Sequence, residues 1–155
     1  MDYEEKVEFL RKYKYSIDML KSIDDEILQI DTQLMKYGSS IIPPPQENGN
    51  YTSNAIARLV GRKIDLEEQH KYEREECKRN RLAVVKVINT VKDLDAIMLL
   101  RYRYINCWTF DKIANEMPYN DRQAVHRKHK KIIDELQVDD KWLQTVWYNG
   151  IVEVL

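Results

Sequence analysis

The sequence predicts an all-α protein, and three observations carry that prediction. Residues 1–37 contain no Gly or Pro and repeat apolar side chains at spacings of three and four. The whole chain of 155 residues has only four Gly and four Pro beside 33% charged and 43% apolar residues, a composition close to that of long helices. Shorter helical patterns, each with its own start and stop signals, then follow over residues 95–136. A Rossmann fold or a barrel is poorly supported, and the length allows one domain or a small domain with a helical appendage.

The first helix is predicted from the stripe Leu10, Tyr13, Ile17, Leu20, Ile23, Ile27, Ile30, Leu34 and Tyr37, sustained over several heptads. Gly38 follows the last of these, where a helix C-terminal glycine belongs. Residues 38–51 form the expected linker, with Pro43, Pro44 and Pro45 at its centre. The proline triplet reads as a stiff spacer, because a polyproline ligand needs a PxxP register and a flanking basic residue.

A second long helix is expected from an N-cap among Thr52, Ser53 and Asn54 to about Lys92. Its apolar positions are Ile56, Leu59, Val60 and Ile64, then Leu82, Val85, Ile88 and Val91. Between them, Glu67 to Arg81 is almost wholly charged, so this stretch projects into solvent, pairs along one seam or meets a partner. The overall net charge of −1 hides a division: residues 1–37 carry −3 and residues 52–92 carry +4. Opposite charges favour folding the two helices back on each other as an antiparallel hairpin over residues 1–92, with self-association into a homodimer as the competing outcome.

Residues 93–137 read as a separate module of three short helices. Asp95 to Tyr104 is compact and apolar, with Ile97, Leu100, Tyr104 and Met98 expected to face inward. Thr109 caps a second helix whose Ile113, Ala114 and Met117 point inward, and Pro118 closes it. After a turn through Tyr119 and Asn120, Asn120 or Asp121 caps a third helix from Arg122 to Leu136, with Val125, His129, Ile132, Ile133 and Leu136 as its buried stripe. The small Ala114 permits a close helix crossing.

Helix, short turn and helix is the helix-turn-helix plan, in which the second helix enters the major groove of DNA. From Arg122 to Lys131 the third helix has five basic side chains, two histidines and a glutamine, and no acid. The stripe leaves Arg122, Gln123, His126, Arg127 and Lys130 pointing outward. Gln123 suits adenine, Arg122 or Arg127 suits guanine, and Lys130 and Lys131 suit phosphate. The competing reading is an ordinary solvated basic face.

Leu99-Leu100-Arg101-Tyr102, Thr109-Phe110-Asp111-Lys112-Ile113-Ala114 and the basic helix ending Ile132-Ile133-Asp134-Glu135-Leu136 resemble region 4 of sigma-70-type factors. With a long helical part ahead of it, the chain resembles the phage and prophage transcription regulators of the RinA and ArpU type. The sigma-like resemblance covers residues 95–136, and the looser phage resemblance covers most of the chain. It implies a bacterial late-gene activator with partners in double-stranded DNA and RNA polymerase, Gln123, His126, Arg127 and Lys130 near base edges, and Arg122 and Lys131 nearer the backbone. The turn is one residue longer than in sigma factors, and Lys128 stands where they place an apolar residue, so it is expected to snorkel. No counterpart of the promoter-melting region is present, which implies an accessory factor and not a complete sigma factor.

The tail, residues 138–155, holds Trp142, Leu143, Val146, Trp147, Tyr148, Ile151, Val152, Val154 and Leu155. It is expected either to pack on the module or to meet a partner. No metal site is expected, since His70, Cys77, Cys107, His126 and His129 offer only the His126-x-x-His129 pair at helical spacing. Cys77 and Cys107 are expected to stay reduced. Nucleotide-binding and hydrolase motifs are missing, and neither an enzyme nor a cofactor is expected. The N-terminal residues lack a secretory pattern and no apolar run is long enough to span a bilayer, which points to the cytoplasm of a bacterial host and no membrane partner. The expected function is sequence-specific DNA binding in transcription. Its alternatives are a small DNA-packaging (terminase) subunit and a coiled-coil interaction protein that binds no DNA.

Overall fold

In a computed structural model, residues 1–38, 49–119 and 121–139 are described, and all their regular secondary structure is helical. Five helices follow in order: α1 (Tyr3–Gly38), α2 (Gly49–Ile88), α3 (Leu94–Tyr104), α4 (Phe110–Glu116) and α5 (Arg122–Glu135). No helix among the described residues is long and apolar enough to cross a membrane. The expectations for the linker prolines, for Asn120 as a cap and for the tail beyond Asp139 lie outside the described residues.

Helix α1 opens on a capping box. The Asp2 carboxylate accepts from the Glu5 backbone N–H at 2.8 Å while the Glu5 carboxylate accepts from the Asp2 N–H at 2.8 Å, satisfying two donors that a helix start leaves open. Helix α2 differs from expectation at both ends. It starts at Gly49, ahead of the expected cap at Thr52–Asn54, because no proline lies between Pro45 and that cap to bar the first turn. It stops at Ile88 and not near Lys92, where the Thr90 N–H bonds to the Val87 carbonyl and the Val91 N–H to that of Ile88, tightening the last turn out of α geometry. The Thr90 hydroxyl donates to the Val87 carbonyl at 2.7 Å and holds this stop.

The chain forms two compact units, one from residues 17–75 and the other from residues 1–16 together with residues 76 onward. In the first unit, the sheltered positions include Leu20, Ile23, Ile27, Ile30 and Leu34 on α1 and Leu59, Lys63, Leu66, His70 and Glu73 on α2, two series spaced alternately by three and four. Ile23, Ile30 and Leu66 are buried, with Ile27, Leu34 and Leu59 packed on them. Asp31 receives the Lys63 ammonium at 2.6 Å, Glu26 lies 3.8 Å from Arg62, and Asp24 lies 3.0 Å from His70. Numbers fall on α1 as they rise on α2, so within this unit the two segments run in opposite directions. The charged stretch of α2 is therefore seamed: its sheltered positions are polar, but they keep heptad register.

The second unit has a larger core. Val7, Phe9 and Leu10 of α1 and Val84, Val87 and Ile88 of α2 share one cluster with Leu99, Leu100, Tyr104, Ile113, Val125, Ile132, Ile133 and Leu136. One continuous core thus lies on both sides of residue 92: the start of α1 and the end of α2 pack with the short helices. At its margin Asn80 donates to the buried Ser16 hydroxyl at 2.7 Å, which in turn donates to the Lys12 carbonyl. On α3 the buried face is Ala96, Leu99, Leu100 and Tyr104, while the expected Ile97 and Met98 are only half-buried. Apolar residues occupy most of this short helix, so spacing alone leaves its rotation undetermined.

Ile133 is fully buried and Leu28 is 65% exposed. Ile133→Ala is expected to cost about 2–5 kcal/mol through lost transfer energy and a residual cavity, and Leu28→Ala to stay within about 0.5 kcal/mol. Urea denaturation of the two variants beside the parent checks this.

Candidate nucleic-acid interface

The starts of α4 and α5 are set by local chemistry. The Thr109 hydroxyl accepts from the Lys112 N–H at 3.3 Å, and Asp121 Oδ1 accepts from the Ala124 N–H at 2.7 Å. At the other end of α5, the Lys6 ammonium donates to the carbonyls of Ile133 and Asp134, each at 3.1 Å, adding to the bond that the Ile133 carbonyl already accepts from the Leu136 N–H and supporting the acceptors of a helix terminus. One helix is thus held at its start by its own cap and at its end by the first turn of α1.

Between these ends the rotation of α5 is fixed by what it buries. Val125, His129, Ile132 and Ile133 are buried, and Leu136 follows them into the core. All five residues of the expected stripe lie inward. Consequently Arg122, Gln123, His126, Arg127, Lys130 and Lys131 are all exposed, the first four around a shallow concavity of about 440 Å³. Lys128 is half-buried with its ammonium 3.6 Å from Asp93, the snorkelling geometry expected of a charge at the edge of a core. Arg122 lies 4.0 Å from Asp111, but both side chains are about two-thirds exposed, so solvent leaves little net attraction between them.

His129 is the polar member of the stripe. Its Nε2 lies 2.7 Å from the Tyr104 hydroxyl, and its ring packs against Phe110 with centroids 5.2 Å apart. Its Nδ1 is buried with no hydrogen-bond partner among the described residues. Burial pushes the ring's pKa down to about 4, assisted by the positive charges of Arg103, His126 and Arg11. Burial likewise raises that of the Tyr104 hydroxyl. The pair is therefore a neutral hydrogen-bonded contact that ties α5 to α3, and His129 is directed away from the outward face where His126 lies. The described residues hold no group of three or more His, Cys, Asp or Glu arranged for a metal.

No family model, curated protein or solved structure matches this chain.

The connection from α3 to α4 carries residues that spacing did not single out. Cys107 has a positive φ of 57°, a left-handed conformation costly for a residue with a Cβ. It turns the chain so that Trp108 stacks on Tyr102, with centroids 4.4 Å apart and planes within 8° of parallel. Lys112 sits 4.1 Å over the Trp108 ring, and Arg103 sits 4.1 Å over Phe110 while donating to the Trp108 carbonyl at 2.9 Å. Phe110 in turn presents its ring to His126 at 5.5 Å, nearly perpendicular. The alternation Arg101-Tyr102-Arg103-Tyr104 was the available signal, but an apolar count over α3 passes over it.

Because His129 is protonated in the unfolded chain below its ordinary pKa of 6.5 but not in the folded one until about 4, the unfolded state binds more protons in that window. Stability contributed by the neutral ring is present above pH 6.5 and declines as pH falls toward 4, by on the order of 2–3 kcal/mol. His129→Leu is expected to flatten this part of the stability–pH profile. Denaturation midpoints at pH 7, 6, 5 and 4 are the measurement, and an unchanged slope assigns the effect to other groups.

Proposed function

We propose that this protein is a sequence-specific DNA-binding regulator of transcription, with α4 and α5 acting as a helix-turn-helix and α5 entering the major groove. The observation that carries this reading is the division of α5 into two faces. Its buried stripe sits on the core, and its exposed face holds Arg122, Gln123, His126, Arg127, Lys130 and Lys131 with no acid among residues 122–131.

In this reading the roles follow from side-chain chemistry. Gln123 near the helix start can pair bidentately with adenine, and Arg122 or Arg127 with guanine O6 and N7. His126 lies beside them on the same face, while Lys130 and Lys131, further along, supply charge to phosphates. Capping by Asp121 and docking of His129 and Ile133 hold the face in place, so base contacts do not require α5 to reorganise. The resemblance to sigma region 4 and to phage late-gene activators gives the proposal its finer form, an activator that acts with bacterial RNA polymerase. A coiled-coil protein in which α5 is only a solvated surface remains the contrasting outcome of the test.

The test is titration of DNA fragments from the gene's own neighbourhood with the full chain at two salt concentrations, beside an Arg127→Ala/Lys130→Ala variant. Salt-sensitive binding to one fragment is expected, with affinity reduced at least tenfold in the variant, since removing a bidentate base pairing costs about 1–3 kcal/mol and removing a phosphate partner weakens binding to every sequence. Lack of binding to any duplex at low salt overturns the proposal. In a second titration, Gln123→Ala is expected to relax preference at one base pair with little change in the salt dependence.

A further inference from the structure

A second cationic surface adjoins the outward face of α5, separated from it by the Phe110 ring. Arg11, Lys14 and Tyr15 of α1, Arg103 and Tyr104 at the end of α3 and Cys107 just after it line a cleft of about 280 Å³. The α1 side chains at its mouth are exposed, whereas Arg103 is half-buried. Arg103 is also locked in place, with its guanidinium donating to the Trp108 carbonyl and lying over the Phe110 ring. A pre-positioned guanidinium in a recess, with a second guanidinium and an ammonium at the rim, is a set of donors suited to a tetrahedral oxyanion.

The same residues are joined to α5. Phe110 carries Arg103 on its face and turns toward His126, so one aromatic ring connects the cleft to the outward face of the candidate recognition helix. We propose that Arg11, Lys14 and Arg103 form a phosphate site that holds the nucleic-acid backbone beside the bases met by α5. The inference rests on the DNA-binding reading and deepens it, by adding the first long helix to the binding surface. Duplex DNA presents a charge about every 1.7 Å along its axis, and Phe110 alone stands between Arg103 and His126, so backbone phosphates flanking the groove are the anions this cleft would meet when α5 engages DNA. Burial lowers the pKa of Arg103, Tyr104 and Cys107 act against this, and the charges of Arg11 and Arg122 act with it; an anion in the cleft offsets the repulsion from the two arginines.

The experiment compares the full chain with an Arg11→Gln/Lys14→Gln variant, both measured for the slope of log affinity against log salt on the fragment that the parent binds. Arg11 and Lys14 are exposed, and an equal denaturation midpoint verifies that the variant is folded. The expected result is a slope shallower by about one for each phosphate no longer neutralised, with matched and mismatched fragments weakened by the same factor. An unchanged slope, with binding still abolished in Arg127→Ala/Lys130→Ala, overturns this inference and leaves the DNA-binding reading standing. Failure of the parent to bind any duplex overturns both. Titration with inorganic phosphate alone, followed by the Cys107 amide and Arg103 side-chain resonances, separates the sources: a shift there with no change in DNA salt slope marks a site for a free small anion and also overturns the proposal.

Discussion

The burial of Val125, His129, Ile132 and Ile133 against the shared core is the constraint on which the candidate surface depends. One residue of an α-helix is a rotation of about 100°, so a shift of register by one position turns the basic face of α5 toward its neighbours. The stripe prevents this by filling space that only these side chains occupy. It is reinforced from outside by the Asp121 cap at one end and by Lys6 on the final carbonyls at the other. The Tyr104–His129 contact adds direction to what is otherwise apolar packing, since a hydrogen bond at 2.7 Å tolerates less rotation than a methyl contact.

Much of α5 was legible from its residues because strong amphipathicity leaves one solution. Five apolar or neutral positions at spacings of three, four and one select a face, and the basic residues occupy the other. Helix α3 was less legible for the opposite reason: Ile97 and Met98 are as apolar as Ala96 and Leu99, and the choice between faces is made by α5 and the long helices. The capping box at Asp2 and Glu5 stands in the sequence as a D-x-x-E pattern, but it precedes the first residue of the apolar stripe by several positions, so periodicity does not point to it. The inclusion of Val7 and Phe9 in the same core as Ile113 and Ile133 had no local signal at all. Periodicity reports which side of a helix is buried and is silent on what covers it.

The middle of α2 makes a related point about polar residues. His70 and Glu73 occupy positions that an apolar repeat fills elsewhere, and Lys63 does so beside Asp31. A hydropathy count reads such a stretch as solvated, yet the alternating spacing of three and four persists through it. Polar groups at sheltered positions give less stability than leucine does, but each constrains register, because a displaced ion pair loses its partner while a displaced leucine finds another. The Asn80–Ser16 hydrogen bond serves the second unit in the same way, as a directional contact between segments 64 residues apart.

The bond from Lys6 to the carbonyl of Ile133 closes a span of 127 residues, and the core beside it joins the beginning of α1 to the end of α5. Such topology has a consequence for biosynthesis. During translation at about 5–20 residues per second, the partners of Val7, Phe9 and Leu10 on α5 are made roughly 6–25 s after them. Until then these side chains lack much of their cover, and the long helices can at most pair with each other through their seam. The surface proposed to read DNA is thus assembled only once the whole span has left the ribosome, and an interrupted chain that ends before α5 has neither that basic face nor a finished core.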